Sequence, residues 1–390
     1  NHVVDEESGA TRTIRISDLA ADGTLRLQRA SCRNGDCRVC DGRLERAAWP
    51  DGEGQRQGLT LLGEFRNPLW EGGYTFNVRV DGTIAYVIRT DGLHVIDISD
   101  PAHMSEIGQF VHPGGANYSN DVKLFAVGSR RYAIIADTPV DLIEVTDPES
   151  PVLVAQLPES SHTVFVESHD GKTYAYFGNY DATSTVYDIT DPHAPAALGS
   201  YQTGGVTCHD LYAEGGVAYL NAWNAGFIVV DFDQPATPVV LGTWAPTPTH
   251  TSHSSWVTTA GGRRVAVHGE EAAAAHLSIV DVDPTSAEFM HEIGSYRTRD
   301  WTSIHNVMAF GDRAYVAYYE EGVRVLDLSD PTAPQLVGYY NTWDPQGPES
   351  QSGLYEGAVG IDVDVANRRI YVADSPRGLL IFQDETPAPE

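Results

Sequence analysis

The sequence predicts an all-β protein: a closed seven-bladed β-propeller in which an N-terminal strand completes the last blade. Three observations carry this. A β-branched run ending in an acidic turn recurs about every 45 residues, near the period of a four-stranded propeller blade. Each copy sits in the same order of short apolar strands separated by Gly, Asp or Pro turns. One extra strand-like segment, "LTLLGEF" (Leu59 to Phe65), precedes the first full unit, and the last unit lacks its fourth strand.

The recurring run reads "LHVIDISDP" (Leu93 to Pro101), "DLIEVTDP" (Asp141 to Pro148), "STVYDITDP" (Ser184 to Pro192) and "FIVVDFDQP" (Phe227 to Pro235). It returns as "LSIVDVDP" (Leu277 to Pro284), "VRVLDLSDP" (Val323 to Pro331) and a worn copy, "GLLIFQDE" (Gly378 to Glu385). Short apolar runs bounded by turn residues suit strands buried on both faces. In the turn, Asp caps the backbone with its side chain and Pro fixes φ. First strands such as "FNVRV", "HTVFV", "HDLYA" and "HNVMAF" precede second strands such as "TIAYVI", "TYAYFG", "VAYLNA" and "RAYVAY". Fourth strands such as "EIGQF", "AALGSY" and "HEIGSY" follow every run but the last, and "LTLLGEF" matches the missing member. Joining the chain ends in one blade removes the open edge that a solenoid would keep. The expected division is an appendage over 1–57, the propeller over 58–385 and a tail over 386–390.

The chain carries 54 acidic and 25 basic side chains, a formal charge of −29. Such a surface repels nucleic acid and anionic lipid, so neither is an expected partner. No apolar run is long enough to span a bilayer. The start "NHVVDEE", without Met or leader, reads as a mature or trimmed form. Cys32, Cys37 and Cys40 cluster in "SCRNGDCRVCDG", and Cys208 stands alone. A Cys-x-x-Cys without a second pair makes a poor zinc site. One local disulfide is expected, from Cys32 to Cys37 or Cys40, in an oxidising compartment. The third cysteine of the cluster is then free or paired with Cys208.

The segments "LHVIDISDPAHMSEIG", "VRVLDLSDPTAPQLVGYY" and "AYVAYYEEGVRVLDLSDP" resemble the LVIVD-repeat proteins of the choice-of-anchor B family. The resemblance spans about Gly58 to Gln383. It implies a seven-bladed propeller that is secreted, periplasmic or held at the cell surface. It implies no chemistry. "SHTVFV" and "HNVMAFGDRAYVAYY" belong to the family pattern, but the resemblance assigns no role to His162 or His305.

Four first strands open on histidine: His162, His209, His253 and His305. In a propeller the first strand of each blade lines the central channel, so equivalent residues become neighbours around the axis. The slot reads Asn77, Asn120 or Asp121, the four histidines, and a position near Gly360. Imidazole is a borderline ligand for Zn²⁺, Cu²⁺ or Fe²⁺. The four therefore point to one transition-metal ion, zinc or copper, at the channel mouth, with calcium a further candidate on the acidic exterior. His268, in "AVHGEE", could reach the same mouth, as could Glu270 or Glu271. Strand alternation turns Cys208 and Asp210 away if His209 points in. The alternative is a water-linked channel in which each imidazole donates to a carbonyl of the next blade.

Tyr180, Trp223, Trp301, Tyr319 and Trp343 follow second strands or precede first strands, which places them at the same end as a substrate face. A polar-aromatic mouth suits a small-molecule or carbohydrate ligand, and equally a surface protein. Glu320, Glu356 and Glu270 are the carboxylates that could accept a proton. No G-x-S-x-G, dinucleotide or phosphate-loop pattern is present. Two functions remain. One is a metal-dependent hydrolase or lyase on a sugar, lactone or ester. The other is a non-catalytic binding or adhesion module with a structural ion or a water-linked channel.

Overall fold

The computed structural model describes residues 2–5, 10–17, 20–21, 24–33, 36–44, 53–70, 74–113, 119–246, 251–272, 275–299, 302–344 and 355–388. The chain forms two compact units, Asn1–Glu53 and Gly54–Glu390. In the first, Ala10–Ser17 and Leu25–Arg33 pair as a hairpin, with His2–Asp5 and Asp36–Leu44 on its two sides. Cys32 lies opposite Cys37 in the last hairpin, and these two form the disulfide. Cys40 is exposed and free, and Cys208, in the second unit, is buried and free.

The second unit is a seven-bladed propeller of antiparallel sheets. The first strands of successive blades pack against one another around the ring, which makes them the innermost strands. The last blade contains Ala358–Asp364, Arg369–Asp374 and Gly378–Asp384, and its outer strand is Leu59–Phe65. Leu379 pairs with Phe65 and Asp384 with Leu59, so the chain ends close the ring as expected. Arg377 clamps the joint through two hydrogen bonds to Glu64, at 2.5 and 3.1 Å. Arg56–Gln57 adds a fifth strand outside Gln335–Tyr340. Two residues carry no periodicity, so the sequence gives no sign of it.

The repeat signature has a packing reason. In the acidic turns, Asp side chains cap backbone N–H groups two residues on, as Asp97 does for Ser99 and Asp327 for Ser329, both at 2.8 Å. In four of the turns the proline carbonyl then lies against a fourth-strand glycine of the preceding blade. Gly63, Gly108, Gly199 and Gly294 meet Pro101, Pro148, Pro235 and Pro331, and a β-carbon at any of the four would overlap the carbonyl oxygen. The second and third strands between them are almost wholly buried, as their apolar runs require. Among the described residues no helix is long and apolar enough to cross a membrane.

Candidate metal centre at the channel mouth

The histidines reach the axis through a backbone irregularity. In the first strand of the third blade, Ser161 pairs with Asn179 and Thr163 with Gly178, so His162 is skipped. The fifth blade skips His253 in the same way, between Ser252 and Ser254. His209 and His305 sit just ahead of their strands, their N–H groups bonded to Asn221 O at 2.7 Å and Ala317 O at 3.0 Å. An unpaired extra residue breaks strand alternation, so two consecutive side chains can face one side. In the fourth blade His209 lies ahead of the regular strand, and Asp210, its first residue, lines the cavity beside it, contrary to the alternation argument. Cys208 does turn away, into an apolar cluster with Leu211 and Leu220.

The four imidazoles form an arc. Their ring centres lie 3.8 Å apart from His162 to His209, 4.3 Å from His209 to His253 and 4.6 Å from His253 to His305. They line a cavity of about 250 Å³. Trp223 stacks on His209 at 4.6 Å. Burial lowers His162 to about 4 and also lowers His305. Burial first, then the neighbouring imidazoles, push His209 and His253 well below the usual range. All four are therefore neutral at pH 7, with a lone pair to offer.

Beneath the arc lies a hydrogen-bonded layer. Asp121 accepts from Asn77 at 2.6 Å, Thr163 at 2.9 Å and Lys123 at 2.5 Å. Burial raises the Asp121 carboxyl, but the Lys123 and Arg79 cations outweigh it and hold it below its usual range. Thr163 also reaches Asp210 at 2.9 Å, and burial pushes Asp210 up to about 6. Deeper still, Phe165, Tyr212 and Trp256 fill the axis, with ring centres 4.9 to 5.9 Å apart.

Donor atoms of His209, His253 and Glu271 all lie within 4.8 Å of one another. Ligand atoms of a tetrahedral zinc ion stand about 3.4 Å apart, so the widest pair of the set would close by up to about 1.4 Å on binding. His253 is 2% exposed, and neither of its ring nitrogens has a hydrogen-bond partner; nor does His209 Nδ1. Two imidazoles and a carboxylate suit zinc or iron(II), so these residues fit an ion.

The other expected site residues are dispersed. Tyr180 and Tyr319 stand at the rim beside His162 and His305, at 5.4 and 5.0 Å between ring centres. His268 lies outside the cavity, fully buried between Phe227 and Trp244 and bonded to Ser252 at 2.8 Å. Trp343 is buried and donates to Glu356 at 3.1 Å, and Glu320 accepts from the Glu356 N–H at 3.4 Å. Trp301 lies outside the described residues. Glu271, not Glu270, lies among the axial donors; Glu270 instead accepts from the Thr251 N–H at 3.4 Å. Stacking the repeats finds Glu271. Tyr180, Trp223, Glu271 and Tyr319 each stand two residues beyond a second-strand residue paired with the axial layer: Gly178, Asn221, Gly269 and Ala317. Tyr355, 5.1 Å from Tyr319, is a rim aromatic that the sequence reading missed.

A closed propeller with an imidazole arc at one mouth of its axis is the class that this geometry defines. The LVIVD repeat family matches residues 72–111, 205–245 and 303–342, within blades one, four and six, and the chain is an LVIVD-repeat β-propeller protein. No curated protein matches the sequence. Among solved structures it is similar to U3-55K, with 9% identity, a TM-score of 0.60 and coverage of 84% of this chain and 98% of that one. It is also similar to the WD40 repeats of RRP9, with 9% identity, a TM-score of 0.62 and coverage of 84% and 97%. At that identity the likeness concerns the fold alone.

Proposed function

We propose that this is a secreted or surface-held propeller that binds one transition-metal ion through His209, His253 and Glu271, and that it acts as a hydrolase or lyase on a sugar, lactone or ester. One observation carries the reading: the buried His253 ring, with no hydrogen bond at either nitrogen and its Nε2 3.7 Å from the Glu271 carboxylate, beside His209. A buried polar atom without a partner costs about 1–3 kcal/mol, which a metal bond would relieve. The LVIVD repeats and the disulfide support an exported protein.

When bound, such an ion supplies Lewis acidity and a water acidified toward about 7. The chain's own groups do the rest. Glu320, next after Tyr319 in sequence, is buried, and burial raises its carboxyl to about 7, which suits moving a proton near neutral pH. Glu356 positions it through its N–H. Tyr319 lines the cavity and Trp223 stacks on His209, which limits water at the imidazoles.

Elemental analysis of the purified protein tests the reading, together with uptake by chelator-treated protein. About one transition-metal ion per chain is expected, zinc foremost, and His253→Ala should lose it. No metal in either measurement sinks the site. The binding-module reading would then lead. One feature already favours it: His162 and His305 donate to carbonyls of the next blade, which satisfies them without an ion.

A further inference from the structure

Each imidazole of the arc borders the next blade, and the four boundaries are tied in two ways. Where the third blade meets the fourth, His162 Nδ1 donates to His209 O at 2.7 Å. Where the sixth meets the seventh, His305 Nδ1 donates to Val359 O at 2.8 Å. At these two boundaries the imidazole itself is the tie. At the two between them it is not: His209 Nδ1 and both nitrogens of His253 have no hydrogen bond. Other side chains take over. Ser254 ties the fifth blade to the sixth, its Oγ donating to His305 O at 2.6 Å.

Asn221 ties the fourth blade to the fifth. It ends the second strand of its blade and is fully buried. Its carbonyl accepts from the His209 N–H at 2.7 Å, and its Nδ2 donates to Asp210 O at 3.2 Å. The same amide crosses the boundary. Nδ2 also donates to Ser255 Oγ at 2.9 Å, and Oδ1 accepts from Ser252 Oγ at 3.3 Å. One residue therefore holds the backbone at His209 and the two serines that bracket His253.

The repeats single this residue out. At the same strand position, blades three, five and six carry Gly178, Gly269 and Ala317. A β-carbon at Gly178 would lie 2.6 Å from Cys208 O, and one at Gly269 would lie 2.8 Å from Ile304 Cγ2. Cys208 and Ile304 directly precede the next blade's histidine, as Ser252 does. The position thus abuts the approach to that histidine. Of the four blades, only the fourth fills it with a side chain that forms hydrogen bonds. That boundary is the one between His209 and His253.

We propose, resting on the metal reading above, that Asn221 is a positioning residue of the metal centre. It ties the fourth blade to the fifth in place of an imidazole, which leaves His209 and His253 at a set spacing with nitrogens free to bind the ion. Hydrogen-bonded partners behind a metal site fix the orientation of its ligands, and their loss weakens binding without removing a ligand.

Chelator-treated parent and Asn221→Ala are titrated with zinc and with cobalt(II), whose visible bands report coordination geometry. Gly294→Ala, in an outer strand against Pro331, controls for lost stability. Asn221→Ala should bind zinc about 10- to 100-fold more weakly and show altered cobalt bands. Gly294→Ala should match the parent in both. Ser255→Ala removes one of the bonds to the fifth blade, keeps the amide, and should shift affinity and bands less in the same direction; it serves if Asn221→Ala does not fold. Unchanged affinity and bands in the folded variant overturn the proposal, and so does an equal loss in Gly294→Ala. NMR of the metal-free protein separates the proposal from the metal reading. Trp223 stacks on His209, so turning that ring changes the shielding of its protons. If neither metal is taken up by the parent, the metal reading falls. His209 and His253 ring signals that move in the variant then keep Asn221 as the residue that sets the pair, and signals that stay in place overturn it.

Discussion

The Tyr319 hydroxyl donates to Glu271 Oε1 at 2.5 Å, joining the sixth blade to the fifth across the channel mouth. Burial, then the Glu271 charge, raises the Tyr319 hydroxyl well above its usual range, so it remains a donor. The bond aims the one carboxylate that stands with His209 and His253.

Tyr319→Phe should therefore lower metal affinity by about 10- to 100-fold, the usual cost of losing a group that orients a ligand. The fold should persist, because Tyr319 meets the next blade through backbone bonds to Ala358 at 2.9 and 3.1 Å. Competition with a chromophoric chelator measures the affinity. An unchanged value would show that Glu271 needs no such support.

His268 should make the protein acid-sensitive. Burial holds it at about 3, against 6.5 for the free side chain. As pH falls, the unfolded chain takes up this proton before the native state does. The stability present above about 6.5 is therefore lost between about 6.5 and about 3. Between pH 7 and 5 this group should remove about 2 kcal/mol. Urea unfolding at the two pH values should show that His268→Gln loses about 2 kcal/mol less than the parent. An equal loss in both would mean that other buried groups set the acid limb.

Deleting Leu59–Phe65 should open the last blade. It removes the fully buried Leu59, the pairing with Gly378–Asp384 and the Arg377–Glu64 clamp. Several kcal/mol are at stake, so the melting temperature should fall by roughly 10 °C or more. A truncated chain that melts with the parent would contradict the closure. Gly294→Ala should cost about 1–3 kcal/mol by overpacking against Pro331, while Gly54→Ala, in open space, should be silent.

The four cysteines should titrate in two steps. Without reductant, a thiol reagent should label one group in the native protein, the exposed Cys40, and a second, Cys208, only after unfolding. Burial raises the Cys208 thiol well above its usual range, which slows it further. Two fast native thiols would mean that Cys208 is accessible, and none would mean that Cys40 is oxidised.

The division of the chain into blades was legible because a blade is a local object. A strand buried on both faces must be an apolar run, and its turn must carry Asp and Pro; seven copies make the pattern unmistakable. The closing strand was legible for the same reason, as a fourth strand without a blade. The imidazole arc was legible because symmetry converts a repeated sequence slot into spatial neighbours.

Alternation failed where the backbone departs from it. The bulges at His162 and His253 place consecutive side chains on the axis, and the loop beyond the second strand decides Glu271 over Glu270. His268 looked ligand-like, yet it is packed between Phe227 and Trp244 one strand out. The sequence by itself determined the strand pattern, the count of blades and the histidine slot, since these follow from periodicity and repetition. Only the tertiary structure decided which donors meet. That depends on single-residue bulges and on which blade's carboxylate swings to the axis, features that shift a side chain by one position without changing the hydrophobic pattern.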